Sequence, residues 1–516
     1  MLSRRDLTGT ILGGLGAVAL AGCAASDDDA HTGQGVQELT GTSIRWADTI
    51  NGTAGLKALN SSNCQAVIVE GYWAAGDGGG GVFVWVTGPA PTSSTPGFDG
   101  TIVAPTTQPA TTGYWQRLHD GPISVRYFGA RGDGATSDTA AINRALTLAQ
   151  STASAGRLGA EVYFPPGTYC ADNLQITQHN VTLRGAGKSS ILAKESTSNA
   201  LITVGAVSNV TIRDLTIQMK SGVSPNFWGI YSAASTSFLT IDQVYMQGMG
   251  YGIGLEPALP SQVHNAVIRD CHLNVITNQG IALFNAIDTF ISDSGVYMNG
   301  YSAGSVGLQM DSGCDGLYTS NLIVTQGETP IAIQSSNPGI AGNAPPRHGF
   351  FSRTAADGGS GGSPATIGAW VIKNGHRMHL EECWAATQQA AASGIVIQGD
   401  GSPLSPSTGI ECVNCICIGN TANGIWIQGG TQIGIVGGAC IGNHGAGIRA
   451  NNASRIRIVG VRSAPDSDFP LQSFGIALGA GLSSVVVQGC DLVGNTSAAV
   501  SNLAVNWIGA GTNLGA

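Results

Sequence analysis

The sequence predicts an all-β fold: a right-handed, single-stranded parallel β-helix with an N-terminal capping helix and a small α/β lead-in module. Three observations predict it. The segments "CIGNTANGIWIQGG" and "CIGNHGAGIRANNA" repeat Cys417, Asn420, Gly424 and Ile425 as Cys440, Asn443, Gly447 and Ile448. A fixed period in the twenties marks stacked supersecondary units. The phrase Gly-Ile-x-(apolar)-x recurs with looser spacing at Gly229-Ile230, Gly252-Ile253, Gly280-Ile281, Gly307-Leu308, Gly394-Ile395 and Gly475-Ile476. Between these copies lie "NVTLRG", "FLTIDQVYM", "RIRIVGV" and "SVVVQGC", whose period-two alternation is that of strands with one buried face. Short strands at this period, with no helices between them, coil into rungs whose like residues stack in columns.

Composition agrees. Among 516 residues, 76 are glycine and 11% are charged, which suits strands and tight turns rather than helices. A net charge of −9 argues against binding nucleic acid through its phosphates and leaves neutral sugars open.

The elements follow in chain order. Residues 1–22 read as an export signal: Arg4-Arg5 precede a weakly apolar run that ends in "LAGC". That run is shorter than the roughly 20 residues a bilayer span needs. The paired arginines resemble a twin-arginine signal, and "LAGC" resembles a lipoprotein lipobox, which implies lipidation at Cys23 and a membrane anchor. Residues 23–42, rich in Gly, Ser and Asp, read as a flexible tether. The location implied is exported and lipid-anchored to a bacterial membrane, periplasmic or at the cell surface, where disulfides are chemically allowed.

Residues 43–120 read as the lead-in module: a short helix around Leu56–Leu59, strands "AVIVEGY" and "GVFVWV" across a glycine loop, and a return strand near Trp115. "GDGGGG" lacks the Lys-Ser/Thr and the following helix of a phosphate loop, so it reads as a structural turn. The β-helix then occupies residues 121–516. "ARGDGATSDTAAINRAL" opens it: Asp138 reads as an N-cap, and Ile142, Ala145, Leu146 and Ala149 form the apolar stripe of a helix that lids the first rung. The Arg-Gly-Asp triplet is then scaffolding. Asn274, Asn420, Asn443 and Asn495 form an expected column of stacked amides, with Cys271, Cys417 and Cys440 each three residues earlier. "CVNCIC" has no accompanying Cys/His pair at zinc spacing, so stacked thiols with one disulfide at most are expected and no metal site.

"VRYFGARGDGATSDTAAINRAL", "VYFPPGTY" and "VTLRGAG" together resemble the entry segment of the pectate lyase superfamily, in its rhamnogalacturonase/epimerase-like branch. The same segment recurs in glycoside hydrolases and phage tailspikes. The resemblance covers about 75 residues, and this chain has Ser137 where the family often shows a second Asp. It implies a pectin lyase-like β-helix that faces a polysaccharide, with homotrimers frequent among the tailspikes; the oligomeric state of this chain is unknown.

Enzymes of this fold work in a groove along one outer sheet. Counted from the phrase glycine, positions +2 and +4 should face out while +1 and +3 pack inside. The +4 column then reads Ala233, Glu256, Phe284, Asp311, Gln334, Gln398, Gln428 and Asn451, and the +2 column offers Tyr231, Gln309, Trp426 and Arg449. Glu256 and Asp311 lie two rungs apart, about 9–10 Å between backbones, so their carboxyl groups can reach the ~6.5–9.5 Å of inverting glycosidases. They are the candidate catalytic pair, one donating a proton and the other activating water. Phe284, Tyr231, Gln309, Trp426 and Arg449 are the candidate substrate-binding residues, with Asp288, Asp315 and Asp400 in reserve. The Asn-Thr-Asp, Asp-Asp, Gly-His-Gly and Arg-Ile-Lys set of pectin hydrolases on this fold is absent, which argues against a polygalacturonase.

A glycoside hydrolase that needs no cofactor is therefore the leading reading. The alternative is a lyase or epimerase acting on uronic-acid polymers, which needs a base for the C5 proton and a cation, Ca²⁺ among them, for the carboxylate. Arg347, His348, Arg353, Lys373, His376, Arg377 and His379, flanking the insertion "DGGSGGSPATIG", are its candidates. A third reading is a non-catalytic glycan-binding or adhesive surface protein.

Overall fold

The structure, a computed structural model, describes residues 44–502 and 507–509, apart from 53, 60–63, 108–111, 155–159, 197–199, 300–301, 336–343, 359–366, 388–390 and 400–405. The export signal, Cys23, the tether, Asp400 and most of the "DGGSGGSPATIG" insertion lie outside these residues.

Strands from Ile123 to Gly509 form one continuous 36-stranded sheet wound on itself. Each coil lays down three strands, numbered faces 1 to 3 in chain order. Face 1 carries the glycine phrase, for example Val306–Met310, while Asp315–Gln326 supplies faces 2 and 3 of the same coil. Coils pair in parallel, residue above residue. The column Ile230, Ile253, Ile281, Leu308, Ile331, Trp370, Ile395, Ile425, Ile448 and Ile476 runs unbroken and is buried throughout. Each such side chain contributes about 1.5–3 kcal/mol by leaving water.

One rung departs from the sequence pattern. Gly368–Lys373 pairs between Gln334 and Gln398, and there Ala369 and Trp370 stand at the place of the Gly-Ile phrase, which the coil before it fills with Pro330-Ile331. The Trp370 ring packs edge-on against Phe351 at 5.3 Å, and its Nε1 donates to the carbonyl of Trp384.

The phrase glycine also breaks strict alternation. A Cβ on Gly252 would sit 2.4 Å from the core methyl of Leu273 and 2.4 Å from the Gly280 carbonyl oxygen. Glycine and the following isoleucine therefore both face inward, and the residue before the glycine turns out to the surface.

A single left-handed residue makes the corner between faces 2 and 3 in coil after coil. Asp214, Gln243, Asp270, Asp293, Asn321, Arg353, Glu382, Asn414, Gly437, Gly460 and Gly489 all have φ between 45° and 67°. Asn, Asp and Gly tolerate this conformation best. The next inward residue clips the corner by donating to the carbonyl two residues back: Ser294 to Ser292, Thr354 to Ser352, Cys271 to Arg269, Cys383 to Glu381 and Cys490 to Gln488.

This corner corrects the cysteine alignment. Cys271 stacks in the corner column with Cys383 and Cys415, whereas Cys417 and Cys440 pair one inward position further on. Asn274 consequently falls within a face-3 strand beside Gln247 and Tyr297 and stands outside the amide ladder. That ladder is Asn420, Asn443, Gln472 and Asn495: Asn420 Nδ2 donates to Asn443 Oδ1 at 2.7 Å, and Gln472 Nε2 donates to Asn495 Oδ1 at 3.0 Å. All ten described cysteines are buried free thiols, so the disulfide allowed by the sequence is not formed among them.

Helix Thr139–Ser154 covers the first rung with Ile142, Ala145, Leu146 and Ala149. Asp138 is not its side-chain cap. The Asp138 carboxylate turns back and accepts from the amides of Arg131 and Gly132 at 2.6 and 3.0 Å, clamping the Arg-Gly-Asp loop. Arg131 lies over the Trp73 ring, and Asp133 is spent on Ala135 and Thr136.

The lead-in has its own five-stranded sheet and apolar cluster around Phe83 and Trp115. Its expected helix is one 3-10 turn at Leu56–Ala58, in a stretch opened by Gly52 and Gly55. It is no separate body, since residues 43–516 form one compact unit. Arg126 stitches it on by donating to the carbonyls of Asp77, Arg131 and Pro166.

Replacing Asn443 with Ala strips the Asn420 amide and side chain of their shared acceptor. We expect a loss of about 1–3 kcal/mol for the buried donors left unpaired, read by urea unfolding; an unchanged midpoint would show that the ladder does not stabilise the coil.

Candidate active site

Face 1 is a parallel sheet whose outward side chains repeat in register. The +4 column runs Glu256, Phe284, Asp311, Gln334, Lys373, Gln398, Gln428 and Asn451, fixed by the backbone pairs that end each strand. The +2 column runs Tyr231, Gly254, Ala282, Gln309, Ala332, Val371, Val396, Trp426 and Arg449. The residues turned out ahead of the glycines add Trp228 and Tyr251.

Glu256 follows directly on the strand that ends at Leu255, and its amide bonds to the Ser232 carbonyl. Burial and the negative charge of Asp311 push its carboxyl up to about 7, against a hydrogen bond from the Tyr231 hydroxyl that pulls the other way. The same contact raises Tyr231, after burial, above the usual phenol range. Two acids that sense each other cannot both be ionised cheaply, so one keeps its proton.

Asp311 is fully buried. Gln309 Nε2 donates to its Oδ2 at 2.7 Å, while the Ser312 amide and hydroxyl donate to Oδ1 at 2.6 and 3.0 Å. Gln309 is itself held by Gln279 at 2.7 Å. The expected exposed base is thus a sealed, pinned carboxylate, because the outward positions of this coil bond sideways to one another before they reach water. Gln309, expected to bind substrate, instead anchors Asp311.

On the N-terminal side of Glu256 lies a cavity of about 580 Å³ lined by Trp228, Tyr231, Tyr251, Phe227, Asn173 and Asn226, among others. Trp228 stacks on Tyr231 at 5.6 Å and leans on Tyr251 at 4.9 Å. Gly254 lies beneath these rings, where a Cβ would meet Tyr231 and Trp228 at 2.7 and 3.0 Å. Aromatic rings flanked by amides are suited to sugar faces and hydroxyls. Trp228 and Tyr251 were hidden from strict alternation, although their position just before Gly229 and Gly252 was a readable signal once the bulge is known.

The remaining candidates are dispersed. Phe284 is half-buried between Glu256 and Asp311. Trp426 and Arg449 pair by cation–π contact at 5.7 Å, but four and five strand spacings, about 19 and 24 Å, separate them from Asp311. Asp288 and Asp315 belong to face 2, where Asp315 bonds His348. Of the basic candidates, Lys373 alone joins the face-1 strip, two strands past Asp311. Arg353 sits at the 2–3 corner and His379 faces Glu411 at 3.8 Å.

Residues 122–228 match the family model described as rhamnogalacturonase A/epimerase, pectate lyase-like. Mannuronan C5-epimerase AlgE6 of Azotobacter vinelandii is 28% identical over 192 residues, 33% of this chain and 20% of that protein. The chain spans about a fifth or less of the length of the curated relatives it matches. The solved AlgE6 A-module from the same organism aligns with a TM-score of 0.47 at 19% identity, covering 74% of this chain and 97% of that one. Tailspike gp49 of Acinetobacter baumannii bacteriophage Fri1, a capsular polysaccharide depolymerase, aligns with a TM-score of 0.47 at 13% identity, covering 90% and 75%. Residues 122–228 are thus similar to the entry segment of that family, and the coils that continue from it form a parallel β-helix.

Proposed function

We propose that this protein acts on a polysaccharide laid along face 1 and cleaves it by glycoside hydrolysis, with Glu256 as the proton donor. The observation that carries the reading is the Glu256 carboxyl, raised to about 7 beside an aromatic cavity. A general acid works best when its pKa lies near the working pH, and a carboxyl kept protonated by burial and a like charge is how glycosidases obtain one. The Trp228–Tyr231–Tyr251 cluster holds the sugar ring next to it. Glu256 gives its proton to the glycosidic oxygen as that bond to the anomeric carbon breaks. Asp311, sealed from solvent, acts as a positioning residue: its charge holds the proton on Glu256 and opposes the positive charge that builds on the ring. Water then adds to the anomeric carbon and gives a proton back to the Glu256 carboxylate, which restores the acid.

A second reading, elimination or epimerisation on a uronic-acid polymer, draws on two observations. Lys373 stands on the same strip, placed to neutralise a sugar carboxylate, and the AlgE6 relative is named an epimerase. In that reading Glu256, ionised above about 7, removes the C5 proton. The strip does not fit Ca²⁺, which takes six to eight oxygen ligands. Asp311 is already hydrogen-bonded, and among the described residues no group of three or more His, Cys, Asp or Glu is placed to hold an ion. Export and anchoring at Cys23 belong to the same proposal and rest on Arg4-Arg5 and "LAGC" alone.

On a panel of neutral and uronic polysaccharides, hydrolysis yields new reducing ends without ultraviolet-absorbing unsaturated ends, and elimination yields both. Glu256→Gln should lower kcat by about 10²–10⁴-fold. Asp311→Asn should keep measurable activity while its alkaline limb moves down in pH. Full activity in Glu256→Gln, or no product from any glycan, would overturn the reading.

The same carboxyl sets a stability slope. Its folded pKa of about 7 lies above its ordinary value of 4.5, so the folded chain holds a proton that the unfolded chain releases. Stability therefore falls as pH rises from about 4.5 to 7. Glu256→Gln removes this slope and should raise the melting temperature more at pH 8 than at pH 5; an equal change at both would contradict the assignment.

A further inference from the structure

Four basic candidates that the face-1 strip does not use come together elsewhere. Arg347 and His348 begin one face-2 strand, and His376 and Arg377 begin the next, in register. With Thr408, Gly409 and Gln432 of the following coils they line a pocket of about 260 Å³. It is too small for a chain of sugars and large enough for one substituted ring or a small anion.

The polar atoms in this pocket are arranged by one another. His348 Nδ1 donates to Asp315 Oδ1 at 2.6 Å, and its Nε2 accepts from an Arg377 Nη at 3.1 Å. That relay orients the His348 ring and holds the Arg377 guanidinium at the rim, with its other nitrogens free of any ion pair among the described residues. Arg347 is exposed and likewise makes no ion pair among them. His376 is tied by a hydrogen bond to the Pro406 carbonyl, and its Nε2 is buried with no partner. Burial, then Arg347 and Arg377, hold His376 below the ordinary imidazole range. Among the described residues Asp315 is the carboxylate that bonds this group, and it is spent on His348. Two guanidinium groups form a donor set around one concavity, and beside them an unpartnered ring nitrogen can take up a proton.

We propose that this face-2 pocket binds an oxyanion substituent of a saccharide, a carboxylate or a sulfate, as a site separate from the Glu256 groove. Arg347 and Arg377 take the anion, and His376 gains a proton on Nε2 as it binds. The site anchors an acidic glycan across the corner from face 1, and it does not depend on whether the groove cleaves.

The test uses the full chain labelled at histidine Cε1, carrying Glu256→Gln so that nothing is turned over. Methyl glucuronoside, glucose 6-sulfate, methyl glucoside and sodium sulfate are titrated in turn, and the nine histidine signals are followed by NMR. Either acidic sugar should move His376 and His348 and raise the titration midpoint of His376, while methyl glucoside should move neither. Arg347→Gln and Arg377→Gln should each weaken binding by at least tenfold, with the remaining histidine signals unchanged as the check on folding. Equal response to the neutral sugar, no response to any probe, or sodium sulfate binding as tightly as glucose 6-sulfate would overturn the proposal; the last result reveals a bare anion site with no sugar recognition.

Discussion

Everything in this molecule follows from one constraint: the backbone of each coil finds its hydrogen-bond partners in the coils before and after it. A strand in an ordinary sheet has neighbours that come from anywhere in the chain. Here the neighbour is always the next turn, so every position repeats as a column parallel to the helix axis. A residue that suits its position once suits it repeatedly, as the buried isoleucines of face 1 and the left-handed corner residues show. A residue that does not suit it disturbs two neighbours at once.

The proposed site arises from that constraint. Glu256 and Asp311 are far apart in sequence, yet they interact because face 1 stacks their coils with one rung between them. Their mutual repulsion and their burial have to be relieved by protonation, which is what gives Glu256 a neutral-pH proton. The network of Gln279, Gln309 and Ser312 locks the other partner, Asp311, so the relief falls on the half-buried acid that borders the aromatic cavity.

Face 2 illustrates the complementary case. Its first residues follow the loops that join it to face 1, and their columns hold Arg347 above His376 and His348 above Arg377. Arg347 and Arg377 bring two positive charges to one concavity, and among the described residues Asp315 meets this group through His348. Such a column is costly to keep unless something anionic visits it, whereas the neighbouring strip further along face 2 neutralises itself through Glu411, which bonds Arg457 at 3.2 Å and faces His379.

The sequence by itself determined the coil, its inward isoleucines, the capping helix and the shared strip of Glu256 and Asp311, because periodicity is a local property that survives in one dimension. It did not reveal the bulge at the phrase glycine, which turns Trp228 and Tyr251 outward, nor the Ala369-Trp370 rung that brings Lys373 onto the strip. Both depend on how much room the core leaves at a corner. Nor could it tell that Cys271 belongs with Cys415 rather than Cys417, since strand lengths differ between coils while the spacing from Cys to Asn does not. The burial of Asp311, the neutral-pH proton of Glu256 and the gathering of Arg347, His348, His376 and Arg377 were decided by tertiary structure alone. Those properties belong to distances across coils, and electrostatic and hydrogen-bond energies depend on distance through space rather than along the chain.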